Sequence, residues 1–297
     1  MASTTQVKAL PLTRGRASDF LSLTKPRVNL LVVSTTLAGY YMAGGADGSL
    51  IALVSCVIGT AMVSGGAAAL NQVYERETDA LMRRTRLRPL PDGRLHAAEA
   101  ALFACFLILA GLTQLAVGAN LVAAGVALVT AGLYAGVYTP LKRRTSFATV
   151  VGAVPGALPP IIGWAAARGT LDPASWSLFA IVFLWQLPHF LAIAWLYRDD
   201  YARAAFPLLP VIEPDGRSTA RQAVLYAAAL VPASLAPTPL GLAGIGYFAG
   251  AGLLSLVFLA LTVRFGVTRT AATARQLFIA SVFYLPIVWI LMIADRV

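Results

Sequence analysis

Asn71, Glu75 and Asp79 recur every four residues at the end of an apolar run, IALVSCVIGTAMVSGGAAAL. On one helix that spacing puts an amide oxygen and two carboxylates on a single face, about 6 Å apart per step. Arg83 continues the face, and Glu77 points elsewhere. Oxygen donors in a row suit a hard cation such as Mg2+. The arginines of MRRTRLRP follow at once (Arg83, Arg84, Arg86 and Arg88), and a guanidinium grips phosphate in a planar, bidentate way. Acids and arginines together imply a metal–phosphate ligand; the plainer alternative is a solvated loop of weak local ion pairs.

A second acidic pair, Asp199 and Asp200, lies in FLWQLPHFLAIAWLYRDDYARAAFPLLP at 183–210. On a continuous helix, His189 and Asp200 share one face about 16 Å apart. Polar groups inside a span, here Gln186 and His189, turn toward a cavity or a helix partner. Pro188 between them should loosen the helix. Carboxylates at a helix C-terminus ask for a compensating cation. A divalent-metal diphosphate held between the two clusters accounts for both. Two metals would neutralise the diphosphate and make it a better leaving group, and an isoprenoid tail would lie in the apolar sequence around it.

The elements that position these residues are membrane helices. Of 297 residues, 58% are hydrophobic and 12% charged, about half the usual ~25% charged share of a soluble domain. Nine apolar runs cover 28–45, 50–70, 97–117, 119–138, 147–167, 174–197, 221–241, 244–263 and 276–294. Each is near the ~20 residues that cross a bilayer as a helix, and lipid-exposed backbone must satisfy its own hydrogen bonds. The expected fold is all-α: a single polytopic domain over 1–297, about nine transmembrane helices around a central cavity, with 1–23 as a polar cytoplasmic tail. Ser64, Gly65 and Gly66 allow close helix approach; Pro155, Pro159 and Pro160 break the fifth helix.

The net charge of +10 does not imply nucleic acid. The N-terminal segment and every second loop hold 21 of the 23 Lys and Arg, leaving Arg168 and Arg296 on the other side. That asymmetry places the N-terminus and both acidic loops in the cytoplasm. It does not require acids, yet eight of the thirteen fall in the 71–96 and 198–221 loops. Cys56 and Cys105 lie in apolar spans without CxxC spacing and read as inert thiols.

Five stretches resemble the UbiA family of intramembrane prenyltransferases, and within it the heme-modifying branch: TKPRV at 24–28, NQVYERETDALMRRTRLRPLPDGRL at 71–95, YTPLKRRT at 138–145, GAVPGALPPIIGW at 152–164, and FLWQLPHF with YRDDYARAAFPLLP over 183–210. The resemblance implies Mg2+-dependent transfer of farnesyl from farnesyl diphosphate to a vinyl group of heme b, in a bacterial inner membrane. Heme b is substrate, not cofactor, and heme A synthase or oxidase-assembly factors are implied partners. It implies Asn71, Glu75, Asp79, Asp199 and Asp200 as the catalytic metal–diphosphate residues, and Arg27, Arg84, Arg88, Lys142 and Arg143 as diphosphate contacts. Lys142 and Arg143 equally fit topology determinants. His189 is the implied porphyrin contact, with Gln186, Tyr138 and Trp185 along the heme or prenyl path; a hydrogen-bonded structural role fits His189 as well. Tyr134, Tyr138 and Trp185 are aromatics that could stabilise an allylic cation, or belt residues. The sequence departs from the family at Glu75 and Glu77 (usually aspartates), at Leu191 (commonly Trp), and at AAF 204–206, where a glycine is expected. A relative with another aromatic acceptor and a non-catalytic transporter remain alternatives.

Overall fold

The structure is a computed structural model that describes residues 15–44 and 49–297; the first fourteen residues of the expected tail lie outside it. Among the described residues every regular element is helical, as expected. In chain order they are α1 (Arg16–Leu23), α2 (Pro26–Met42), α3 (Leu50–Leu81), α4 (Ala97–Gly118), α5 (Leu121–Ala131), a π-helical stretch (Gly132–Tyr138), α6 (Thr139–Leu141), α7 (Ala148–Ala157), α8 (Pro159–Arg168), α9 (Pro173–Leu196), α10 (Arg198–Arg203), α11 (Leu209–Ile212), α12 (Arg217–Leu235), α13 (Ile245–Thr268) and α14 (Ala271–Ala294).

Seven stretches among the described residues are long and apolar enough to cross a membrane: α3, α4, the α5–α6 run, the α7–α8 run, α9, α13 and α14. The other two expected spans correspond to α2, only 17 residues long, and α12, whose first turns carry Arg217 and Arg221. The exterior is that of a membrane protein. Leu102, Phe106 and Leu109 on α4 are each about two-thirds exposed or more, a surface that fits lipid and not water.

Close packing uses small residues. A Cβ on Gly163 of α8 would collide with the Thr36 carbonyl of α2, and one on Gly66 of α3 would stand 2.7 Å from the Ala104 carbonyl of α4. The expected break in the fifth span falls at Leu158, with Pro159 opening α8. Pro188, by contrast, is accommodated within a continuous α9.

Two expectations are corrected. Residues 16–23 are not plain tail: they form α1, with Leu23 fully buried. Helix α9 does not run on to Asp200: it stops at Leu196, Tyr197 leaves helical geometry, and the chain restarts as α10. Asp199 and Asp200 therefore stand in the first turn of a helix, where the dipole favours anions.

Candidate active site

The sequence makes α3 continue past its apolar portion, and the structure follows it to Leu81. Asn71, Glu75 and Asp79 share its buried face, at 3%, 3% and 1% exposure, while Glu77 is exposed and paired with Arg76 at 3.0 Å. Helix α3 ends before Arg83, which is exposed and off the face.

The three donors line a cavity of about 160 Å³ together with Lys25, Met82, Arg84, Thr85, Arg88, Tyr134, Tyr138 and Lys142. Four cations thus face two carboxylates, a surplus that favours an anionic ligand. Lys25 Nζ donates to Asn71 Oδ1 at 2.9 Å, Lys142 Nζ to Glu75 Oε1 at 3.2 Å, and Arg88 Nη1 to Asp79 Oδ2 at 2.6 Å. Asp79 Oδ1 is buried with no partner among the described residues. Burial and the neighbouring Arg88 guanidinium push Lys25 down to about 8. Burial also opposes the charge on Lys142, but Tyr138 and Glu75 outweigh it and hold that ammonium above the ordinary lysine range.

Local structure fixes the orientation of Asn71. Its Nδ2 donates to Thr139 Oγ1 at 3.2 Å, and that hydroxyl donates to the Tyr134 carbonyl at 2.8 Å. The carbonyl belongs to the π-helical stretch, a distortion often found at functional sites. Tyr134 and Tyr138, both in that stretch, form a second wall of the cavity. Asn71 Oδ1 is left facing Lys25.

The 71–96 and 198–221 loops do meet, though through other residues than the acids. Met82 packs in one buried cluster with Ala194, Tyr201, Ala204, Phe206 and Leu208. Arg84 donates to the Tyr201 hydroxyl at 3.2 Å and lies over the Tyr197 ring, and Lys142 Nζ lies 4.7 Å from the Phe206 ring centroid. Asp199 is exposed, and Asp200 is buried and paired with Arg203; neither lines the cavity. Among the described residues no three acidic, His or Cys side chains gather closely enough to hold a metal ion. Ala205, within the AAF stretch where a glycine was expected, has φ of 55°, a conformation glycine adopts without steric cost.

The remaining expected residues divide. Tyr138, Arg84, Arg88 and Lys142 line the cavity. Arg27 is exposed at the start of α2, and Lys25, not foreseen as a site residue, reaches the cavity in its place. Arg143 turns to the other side of α3, donating to the Tyr74 carbonyl at 2.8 Å. Gln186 ties α9 to the Ala153 carbonyl at 2.7 Å. Trp185 Nε1 donates to the Ser281 carbonyl at 2.8 Å, and His189 Nδ1 lies 2.7 Å from Ser281 Oγ. The last three side chains lie outside the cavity and join helices. Thr85, also unforeseen, reaches the cavity from the loop after α3.

The UbiA prenyltransferase family matches residues 32–287. The chain belongs to this family. A protein of Solibacter usitatus (strain Ellin6076) named protoheme IX farnesyltransferase is 49% identical over 94% of this chain and 98% of its own length. One of Myxococcus xanthus (strain DK1622) with the same name is 46% identical over 95% of each. Among solved structures, a digeranylgeranylglyceryl phosphate synthase superposes with a TM-score of 0.80 at 16% identity, over 94% of this chain and 98% of its own. A UbiA homolog from Archaeoglobus fulgidus bound to GPP and Mg2+ gives 0.60 at 15% identity, over 93% and 99%. Both share the all-α fold of this family member.

Proposed function

We propose that the protein transfers a farnesyl group from farnesyl diphosphate to a vinyl group of heme b. One observation carries this reading. A buried ladder of Asn71, Glu75 and Asp79 faces four cations in one cavity, in a chain 49% identical to a protein named protoheme IX farnesyltransferase.

In the reaction the C1–oxygen bond of farnesyl diphosphate breaks and diphosphate departs with the electron pair. The allylic carbon bonds to the terminal vinyl carbon, and water supplies a hydroxyl to the other vinyl carbon and gives up a proton. No covalent enzyme nucleophile is needed. Lys25, Arg88 and Lys142 now rest on Asn71, Asp79 and Glu75. An entering diphosphate competes for these cations, and each one drawn to phosphate frees an oxygen donor. The unpartnered Asp79 Oδ1 and the all-oxygen donor set fit Mg2+, which Asn71, Glu75 and Asp79 would hold. When bound, Mg2+ neutralises charge on the leaving diphosphate. Asp199 and Asp200 remain proposed as a second acidic contact, with Arg84 joining their loop to the first. Tyr134 and Tyr138 would cover the allylic cation with aromatic faces and keep water away until the new bond is made. The N-terminus and acidic loops face the cytoplasm, in a bacterial inner membrane.

The test is heme extraction after expression in a strain lacking its own enzyme for this step, with purified protein assayed on heme b, 4-hydroxybenzoate and dihydroxynaphthoate. The expected product is heme b increased by one farnesyl group and one hydroxyl group. Product from an aromatic acid alone overturns the reading.

A further inference from the structure

Lys25 holds an unusual position. Its backbone lies in the left-handed region, at φ 48° and ψ 63°, directly before Pro26 at the start of α2. A non-glycine residue keeps such a conformation only where its surroundings impose it, and here they aim its ammonium into the cavity. Among the described residues Lys25 forms no ion pair; its one side-chain partner is the neutral Asn71 Oδ1. It is thus a cation aimed into a polar chamber with no anion of its own.

The helix just before Lys25, α1, is anchored at both ends. Leu23, fully buried, packs with Ala69, Leu90, Leu95, Ala100 and Ala104, and its carbonyl accepts from Gln72 Nε2 at 2.7 Å. Nearer the start of α1, Asp19 is 3% exposed and accepts from Arg94 Nε at 3.1 Å on both carboxylate oxygens. Arg94 also donates to the Leu87 carbonyl at 3.2 Å. It closes the same loop that supplies Arg84, Thr85 and Arg88 to the cavity. A buried carboxylate is retained only with a partner of this kind, and this pair joins the segment carrying Lys25 to the loop carrying Arg88.

We propose that the buried Asp19–Arg94 pair is the brace that positions Lys25 in the diphosphate site. This rests on the cavity being a diphosphate site, as the proposed function has it, but not on the acceptor. Asp19 and Arg94 touch no ligand in this scheme and act through the loop and the turn at Lys25.

The test measures the affinity of the purified full chain for inorganic pyrophosphate with Mg2+, beside its thermal midpoint, in Lys25→Met, Lys25→Arg, Asp19→Asn and the Asp19→Asn/Lys25→Met double variant. Loss of one charge-assisted contact to phosphate raises Kd by about tenfold. The expected result is that rise in both Lys25→Met and Asp19→Asn, none beyond it in the double variant, and a Kd within about threefold of the parent for Lys25→Arg. Non-additivity of this kind marks groups acting as one unit. Effects that multiply to about a hundredfold, or an Asp19→Asn variant with a lowered midpoint and unchanged Kd, overturn the brace. An unchanged Kd in Lys25→Met overturns the binding role. If Asp19→Asn fails to fold, Arg94→Lys takes its place under the same criteria. Because pyrophosphate binding needs no heme, a wild type that binds it but makes no farnesylated heme refutes the acceptor assignment and leaves this inference standing.

Discussion

At the scale of single residues, three cations of the cavity rest on three oxygen donors, and an entering anion must break those contacts to bind. Asp79 is the most telling position, since one oxygen holds Arg88 and the other holds nothing among the described residues. Replacing it with Asn keeps the shape and removes the charge. Asp79→Asn is expected to lower kcat/KM for pyrophosphate release by about a hundredfold, the usual effect of losing one electrostatic contact to a leaving group. Glu77 lies two residues away on the exposed side of α3, paired among the described residues only with Arg76. Glu77→Gln is expected to stay within about twofold of the parent in the same assay, because exposed pairs contribute little. Equal losses in the two variants would mean that the buried face of α3 has no special role.

At the scale of elements, the corner after α10 and the α2–α8 crossing are the informative places. Ala205 turns that corner with φ 55°, where an L side chain crowds the following carbonyl at a cost of about 1–2 kcal/mol. Glycine removes the clash but gains freedom in the unfolded chain. Ala205→Gly is therefore expected to stabilise the protein by up to about 1 kcal/mol, read as a raised thermal midpoint in detergent; a lowered midpoint would show that the corner is unstrained. The crossing of α2 and α8 leaves no room for a side chain at Gly163. Gly163→Val is expected to cost about 1–3 kcal/mol or more through overpacking, measured in the same way. An unchanged midpoint would mean that the two helices separate freely.

At the scale of the whole molecule, charge asymmetry sets the orientation. In a variant carrying Cys56→Ala and Cys105→Ala, the single substitutions Asp92→Cys and Asp215→Cys are expected to react with a membrane-impermeant thiol reagent only from the cytoplasmic side. Thr170→Cys, in the turn between α8 and α9, is expected to react only from the other side. Labelling of positions 92 and 170 from the same side would overturn the proposed topology.

The sequence by itself determined the class of the protein, most of its helices and the face that carries Asn71, Glu75 and Asp79. These follow from apolar run length and a four-residue spacing, both local properties of the chain. Tertiary structure decided which cations meet that face. Lys25 and not Arg27 enters the cavity because a left-handed turn redirects the chain just before α2, and Arg143 turns away while Lys142 turns in. It also decided that α9 stops at Leu196, so a ruler of 100° per residue drawn from His189 through Tyr197 misplaced Asp200. A side chain's partners depend on how distant segments pack, and no local spacing encodes that.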